Sequence, residues 1–249
     1  MQIKIPISNE FVGRFQHSAY FTVMFQIECH DVAKFFGKTE VFRNLNFRFD
    51  GSLCVGIQGP NGSGKSTLMK CLSGLLRPTK GHITWKENEA VVDQRMIRFH
   101  MGYAAPYLQL YNELSVSENL TFLRQIRSGP AVGEPPEHTH TFRPFVRKLP
   151  DLLSLCGLDE IGNQSLGTLS SGQQQRVRLA GALISSPPLL MLDEPGSNLD
   201  EEGHALVSSL INRQKKAGGM VFLASNRKEE LALCDDIIPL KPKNKPVIP

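Results

Sequence analysis

The sequence predicts an α/β fold with a mostly parallel central sheet. Two uninterrupted apolar runs, at residues 53–57 and 189–194, are typical of strands buried on both faces. Segments with apolar residues at helical spacing follow these runs, and such alternation of strands and helices favours a parallel sheet. A glycine-rich turn joins the first run to its helix. The 249 residues therefore fit one domain, or one domain with an appended subdomain.

The first half of the chain combines strands in which apolar and polar residues alternate with one strand that is apolar throughout. Strands are predicted over residues 25–36 and 44–49, and in the second of these Leu45, Phe47 and Phe49 alternate with polar residues. The pattern then predicts the strand at 53–57, a helix at 64–76 and short strands at 82–85 and 97–104.

The second half alternates helices and strands. A helix over residues 117–126 starts at Ser117, which is a suitable cap, and a helix over 145–158 starts or is interrupted at Pro150. Residues 128–137 have the composition of a loop. The remaining predicted elements are a helix at 172–184, the strand at 189–194, a helix at 201–216, a strand at 220–225, a short helix at 228–234 and a strand at 237–240.

Charge, cysteine content and hydropathy exclude several classes of protein. Without the three lysines of a Lys/Pro-rich tail at 241–249, 25 Lys and Arg face 24 Asp and Glu, so no nucleic-acid partner is expected. The five scattered cysteines indicate a reducing, cytoplasmic compartment. We interpret His138 and His140 as exposed loop residues rather than as a metal site. No apolar run approaches the roughly 20 residues of a membrane span, and residues 1–23, an extension without clear periodicity, lack the features of a secretory signal.

The pattern GxxxxGK[ST] gives the strongest indication of chemistry. Its glycines let the backbone curl so that N–H groups point at a phosphate, and the positive end of the following helix adds to this attraction. Lys65 can reach the outer phosphates, and the Ser66 hydroxyl can ligate Mg²⁺. Phosphate binding is therefore predicted for the loop formed by Gly59, Pro60, Asn61, Gly62, Ser63, Gly64, Lys65, Ser66 and Thr67.

Two carboxylates end the apolar run at 189–194. Asp193 lies 128 residues after Lys65, at the carboxyl end of a predicted parallel strand, where ligands sit in α/β sheets. This position suits a Mg²⁺ ligand, as in other P-loop nucleotide hydrolases. Glu194 is the candidate base, because it can polarise a water in line with the γ-phosphate. Lys65 and Glu194 are therefore the predicted catalytic residues.

A third pattern completes a resemblance to a known family. Residues 169–176, LSSGQQQR, form a Ser-Ser-Gly turn leading into a helix, and Ser170 lies 23 residues before Asp193. Together with GPNGSGKST and LLMLDEP, in this order and spacing, they resemble the nucleotide-binding subunit of ABC transporters. The resemblance implies a P-loop ATPase fold of the ABC type at residues 24–240, with an N-terminal antiparallel β-subdomain and an inserted helical subdomain at about 107–180.

The resemblance also implies roles for individual residues. Ser197 and Asp200 in GSNLD match the family's D-loop, and Phe36 lies where the family places an aromatic ring against adenine. The family's signature turn, which contacts the ATP of a second subunit, is matched by Leu169, Ser170, Ser171, Gly172 and Gln173.

The function that this resemblance implies is transport driven by ATP. Two ATP-binding subunits, identical or different, would enclose two MgATP molecules head to tail and drive a separate transmembrane permease. The chain would then lie on the cytoplasmic face of the membrane, held there by its partner. Residues 107–122 resemble the ATPases of small export systems, including the haem-exporter type of cytochrome c maturation.

Two positions depart from the family pattern. The family has Gln where this chain has Pro106, and the nearest glutamine, Gln109, is three residues late. Asn226 stands in place of the switch histidine, and an amide can hydrogen-bond a phosphate oxygen but cannot become a cation. Hydrolysis is therefore expected with altered sensing of the γ-phosphate. A hydrolysis-poor regulatory subunit and a soluble ABC ATPase outside transport remain alternatives.

Overall fold

The computed structural model describes residues 24–94, 96–127 and 148–241. The N-terminal extension, the loop at 128–137 with His138 and His140 after it, and the tail beyond Lys241 lie outside these residues, so the predictions made for them stay predictions. Within the described residues, no helix is both long enough and apolar enough to cross a membrane.

The strands form two sheets. An antiparallel sheet has the order β2-β1-β4-β5, and a second sheet, in which every neighbouring pair is parallel, has the order β6-β7-β8-β3-β9. The strands are β1 (Phe25–Phe36), β2 (Thr39–Asp50), β3 (Cys54–Gln58), β4 (Lys80–Glu87), β5 (Ala90–Val92), β6 (Met101–Ala104), β7 (Leu189–Asp193), β8 (Met220–Ala224) and β9 (Asp236–Pro239).

Helices cover the parallel sheet and connect its strands. The α-helices are α1 (Lys65–Leu72), α2 (Val116–Arg127), α3 (Leu149–Leu155), α4 (Ser171–Leu183), α5 (Glu201–Lys216) and α6 (Lys228–Leu231). Pro150 lies in the first turn of α3, where its missing N–H costs no helical hydrogen bond. The predicted helix over 201–216 is confirmed at both ends.

Both faces of the parallel sheet are buried, as the uninterrupted apolar runs predicted. Along β7, Leu189 and Met191 pack into the core between the two sheets, while Leu190 and Leu192 pack against helices on the other side. Phe222 of β8 lies in the first core, edge-on to Trp85 of the antiparallel sheet. These layers fix the carboxyl ends of β3, β7 and β8, three adjacent strands, on one edge.

Several predicted elements differ in their bounds: the helix at 64–76 ends at Leu72, the strand at 44–49 begins at Thr39, and the short helix at 228–234 ends at Leu231. Two further predictions are wrong in local structure. Residues 97–104 were expected as one strand, but Ile97–His100 form a 3₁₀ turn and only Met101–Ala104 join the sheet. Ser117 was expected to cap α2, but Ser115 does so: its hydroxyl accepts from the Glu118 N–H at 3.2 Å, and the Glu118 carboxylate accepts from the Ser115 N–H at 2.8 Å. This reciprocal pair is a capping box.

The close approach of α4 to β6 requires a glycine. A Cβ on Gly102 would collide with the backbone oxygen of Ala182. We expect Gly102→Ala to lower the unfolding free energy by about 2 kcal/mol or more, because neither backbone can move away without opening the core. For a chain of this size the melting temperature should fall by about 4–8 °C.

Thermal denaturation followed by circular dichroism measures this effect. Ala90→Val, which adds carbon atoms on the exposed edge strand β5, is the control and should shift the melting temperature little. An unchanged melting temperature for Gly102→Ala would contradict the tight packing of α4 on β6.

Candidate functional site

The predicted phosphate loop connects β3 to α1 at the shared sheet edge. Gly62 and Gly64 have φ angles of 78° and 105°, a region that residues with a Cβ rarely adopt. Gly64 also packs so closely on Val41 of β2 that a Cβ would lie 2.5 Å from its methyl group. The loop conformation therefore depends on glycine at these two positions, as its motif predicted.

Lys65 is the centre of the site. Its side chain is 7% exposed, and its ammonium donates to the Gly59 carbonyl at 3.0 Å and to the Asn226 Oδ1 at 2.9 Å. The Glu194 carboxylate lies 3.3 Å from the same nitrogen. These three oxygens come from the segments after β3, β8 and β7. The structure therefore brings together Lys65, Glu194 and Asn226, which the sequence analysis had singled out separately.

Asn226 also reaches the tip of the phosphate loop. Its Nδ2 donates to the Asn61 Oδ1 at 2.6 Å, while its own Oδ1 accepts from Lys65. The amide therefore spans the loop from Asn61 to Lys65. An amide suits this position because one short side chain supplies both a donor group, Nδ2, and an acceptor, Oδ1.

Asp193 is buried next to this cluster, with 1% of its surface exposed. Among the described residues neither of its oxygens has a partner with ordinary hydrogen-bond geometry. Burial raises the pKa of the carboxyl, and the adjacent Glu194 adds to the rise, whereas the Ser66 hydroxyl and the Lys65 ammonium lower it. A buried carboxylate without partners beside a hydroxyl is the donor set that a hard cation prefers.

Glu194 takes a backbone conformation that is rare for a residue with a side chain. Its φ is 49°, and its N–H donates to the Ala224 carbonyl of β8 at 2.8 Å. Asp193 still belongs to β7, so the change of direction at Glu194 separates the two carboxylates. Strain of this kind persists where the surrounding structure imposes it, and functional sites are frequent examples.

Two tyrosines at the site were not singled out from the sequence. Tyr103 of β6 and Tyr107, in the segment that follows, have hydroxyls 2.6 Å apart. Tyr103 is paired with Met191 of β7, two residues before Asp193, so it lies on the same face of the sheet as that carboxylate. The Tyr107 hydroxyl interacts with the Asp193 carboxylate. The only sequence signal for them was the position of Tyr107 directly after Pro106. Pro106 and Gln109 are both exposed.

The signature residues lie at the beginning of α4. Ser170 caps the helix: its hydroxyl accepts from the Gln173 N–H at 3.2 Å, and the Gln173 Oε1 accepts from the Ser170 N–H at 2.9 Å. Ser170 and Ser171 are exposed, whereas Leu169 is buried. The turn therefore presents hydroxyls and a helix N-terminus at the surface.

The D-loop residues connect this helix to the carboxylates. Asp200 caps α5 by accepting from the Gly203 N–H at 2.8 Å, and it accepts from Arg176 of α4 at 3.1 Å. The Gly203 N–H, followed by Arg176, holds the pKa of Asp200 below its usual value. Ser197 donates its backbone N–H to the Glu194 carbonyl at 3.1 Å. Ser197 therefore belongs to the turn that positions the candidate base.

Phe36 ends β1 with its side chain 54% exposed. The Lys34 ammonium lies 5.1 Å from the centre of its ring. The neighbouring Phe35 is half-buried, so of the two rings Phe36 is the one available to a ligand. Its role against adenine stays a prediction.

Comparison with known proteins gives the family. The model of the protein family described as ABC transporter matches residues 42–197, which is more than half of the chain. An uncharacterized ABC transporter ATP-binding protein, YybJ of Bacillus subtilis (strain 168), is 30% identical over 84% of this chain and 89% of its own length. A cytochrome c biogenesis ATP-binding export protein, CcmA of Rhizobium johnstonii, is 32% identical over 77% of this chain and 83% of its own length. These identities are alike, so the narrower haem-exporter resemblance stays a prediction.

A solved structure supports the fold. It is described as a dimeric post-hydrolysis state of an ATP-binding cassette bound to ADP and Pi. The TM-score is 0.71, with 24% identity over 86% of this chain and 94% of that chain. The predicted α/β fold, a parallel sheet with an antiparallel β-subdomain, is confirmed. With the family match and the relatives above, the chain belongs to the ABC transporter family of ATP-binding proteins and is an ATPase of that family.

Proposed function

We propose that the chain is the ATP-binding subunit that hydrolyses MgATP in a head-to-tail dimer and drives a separate transmembrane permease. The observation that carries the proposal is the convergence of three oxygens on Lys65: the Gly59 carbonyl, the Glu194 carboxylate and the Asn226 amide. They come from the three segments that the family uses around the γ-phosphate.

The β- and γ-phosphates of ATP would take over the position that these oxygens occupy around the ammonium. A phosphate carries more negative charge than Glu194 and offers several acceptors, so Lys65 would exchange its partners for it. The backbone N–H groups of the loop and the start of α1 would bind the same phosphates. Glu194, released from Lys65, would then be free to accept a proton from water.

Ser66 and Asp193 are the residues that would hold Mg²⁺. Their fit follows from the buried Asp193 oxygens that lack partners of ordinary geometry among the described residues, and from the hydroxyl that interacts with them. When bound, Mg²⁺ neutralises charge on the phosphate oxygens during transfer. Binding of the cation would also favour the ionised form of Asp193, opposing the effect of burial on its pKa.

A second ATP-binding subunit is proposed because the signature turn is exposed at the surface of the chain. Ser170 and Ser171 are exposed at the positive end of α4, ready to accept an anion from outside the chain. A γ-phosphate held by a partner's phosphate loop fits this position. The cassette described above, which has the same fold, is a dimer with ADP and Pi bound.

A transmembrane permease is the proposed second partner, and the cytoplasmic face of the membrane the proposed location. The names of two relatives support the permease, since one is an ABC transporter ATP-binding protein and the other an ATP-binding export protein. The location follows from the proposed attachment to such a partner. No observation on the described residues favours the alternative that the chain is a soluble ABC ATPase acting outside transport.

A regulatory, hydrolysis-poor subunit is the second candidate, and Asn226 is the observation that favours it. This amide holds Lys65 and Asn61 at once, and it cannot add positive charge next to a γ-phosphate. The two candidates differ in turnover, not in binding of ATP.

Steady-state ATP hydrolysis across protein concentration tests the proposal. Because each site needs the signature turn of a second copy, turnover should rise faster than in proportion to the concentration of the chain. Ser171→Arg, which adds a bulky cation to the signature turn, should abolish this rise, whereas Asn163→Arg at another exposed position should keep it. Turnover strictly proportional to concentration would contradict the dimer. Tight MgATP binding without turnover would instead establish the regulatory candidate.

A further inference from the structure

The segment after β6 departs from the family pattern, because Pro106 stands where the family has Gln. Pro106 has no side-chain donor or acceptor and is exposed. Directly after it, Tyr107 projects a hydroxyl to the site. The chain thus lacks the expected amide but has a different polar group one residue later.

Tyr103 gives this group a fixed anchor. It lies in β6 opposite Met191 of β7, two residues before Asp193, and is 8% exposed. Its hydroxyl is 2.6 Å from that of Tyr107. Since β6 and β7 are paired strands, the position of the Tyr103 hydroxyl relative to Asp193 is set by the sheet.

The Tyr107 ring is held from the opposite side. The Lys70 ammonium of α1 lies 4.1 Å from the ring centre, which is a favourable cation–π geometry. Lys70 is one turn after Ser66, so the same helix carries the proposed Mg²⁺ ligand and the cation under the ring. Tyr107 therefore contacts Tyr103 of β6 and Lys70 of α1, the helix that also carries Ser66.

One O–H group of the hydroxyl pair is not used in the hydrogen bond between the two tyrosines. Of the pair's two O–H groups, one is used between the tyrosines, and the other is available to a nearby acceptor. A phenol hydroxyl is protonated at neutral pH. Asp193 lies two residues after Met191, the partner of Tyr103, and therefore on the same face of the sheet as this tyrosine. Neither Asp193 oxygen has a partner of ordinary geometry within the described residues, so this carboxylate is the candidate acceptor.

We propose that Tyr107, supported by Tyr103, is a positioning residue that donates a hydrogen bond to Asp193 and orients this carboxylate as a Mg²⁺ ligand. The inference rests on the proposed function, in which Asp193 holds the cation. Hydrogen bonds to a ligating carboxylate fix its direction, and their loss lowers metal affinity by about 10- to 100-fold. The pair would also connect the segment leading to α2 with the proposed metal site.

The test is the Mg²⁺ dependence of nucleotide binding by the full chain. Affinity for a fluorescent ATP analogue is measured by titration in EDTA and then at increasing Mg²⁺. Tyr107→Phe removes only the hydroxyl and keeps the ring on Lys70. We expect its affinity in EDTA to equal that of the wild type, and the Mg²⁺ concentration for half of the Mg²⁺-dependent gain to rise about tenfold. Tyr103→Phe should raise it in the same direction, and the double variant should add little to Tyr107→Phe.

Two further variants separate failure of the inference from failure of the proposed function. Tyr111→Phe removes a hydroxyl elsewhere in the same segment and should match the wild type. Asp193→Asn should raise the Mg²⁺ requirement more than Tyr107→Phe does. An unchanged requirement in Tyr107→Phe, together with a raised one in Asp193→Asn, would overturn the role of the tyrosines alone. An unchanged requirement in Asp193→Asn would overturn the proposed metal site and the inference with it.

Discussion

Replacing Lys65 with alanine should weaken ATP binding at least about tenfold and leave no detectable hydrolysis. The ammonium is the single cation buried among the described residues at the sheet edge, with three oxygens around it. A charge-assisted hydrogen bond to a phosphate contributes about 1.5–3 kcal/mol, and ATP would receive it in place of Glu194 and Asn226. Titration with a fluorescent ATP analogue and a coupled turnover assay measure the two effects.

The control for Lys65→Ala is Lys80→Ala, which removes an exposed lysine from β4 and should leave both measurements unchanged. Folding of Lys65→Ala is checked by its melting temperature, because Glu194 loses an ion-pair partner in this variant. Wild-type affinity and turnover in Lys65→Ala would refute the assignment of the phosphate loop.

Replacing Glu194 with glutamine should lower turnover at least about 100-fold and leave MgATP bound. The amide keeps the size of the carboxylate but cannot take a proton from water. Because ATP would then remain between two copies, the proposed dimer should accumulate. Size-exclusion chromatography with light scattering, run with MgATP, should show a dimer for Glu194→Gln and mostly monomer for the wild type.

Glu201→Gln, at the exposed start of α5, is the matched control and should behave as the wild type. A monomeric Glu194→Gln variant that nevertheless binds MgATP would exclude the nucleotide-bridged dimer. Persisting turnover in this variant would instead show that another group is the base.

The sequence predicted those parts of the fold that depend on local pattern. Continuous apolar runs predicted β7 and β8 because both faces of each strand are buried, so every residue must be apolar. Residues 97–104 have no such continuous apolar run, since Arg98 and His100 interrupt them. Residues 97–100 belong to a turn before the strand, and only pairing with β7 shows where the strand begins. The three-residue strand β5 was missed because so short an element has no period of its own.

The candidate site was predicted by motif but not in its contacts. The sequence placed Lys65, Glu194 and Asn226 near a phosphate, and the structure adds that the three meet one another. The pairing of Tyr103 with Tyr107 could not be predicted, because it depends on how the segment after β6 folds back over α1. Residues that are distant from every motif in sequence can still line a site when the sheet brings them there.

The signature helix is attached to the D-loop of its own chain. Arg176 of α4 binds Asp200, the buried Gln175 donates to the Pro195 carbonyl at 2.9 Å, and a Cβ on Gly172 would lie 2.9 Å from the Asn198 carbonyl. Pro195 directly follows Glu194. In the proposed head-to-tail pair, this helix end would contact the partner's nucleotide. It is connected through Gln175 and Pro195 to Glu194, the proposed base for this chain's own nucleotide. The two sites of such a pair would therefore be coupled, so that the nucleotide bound at one site influences when hydrolysis occurs at the other.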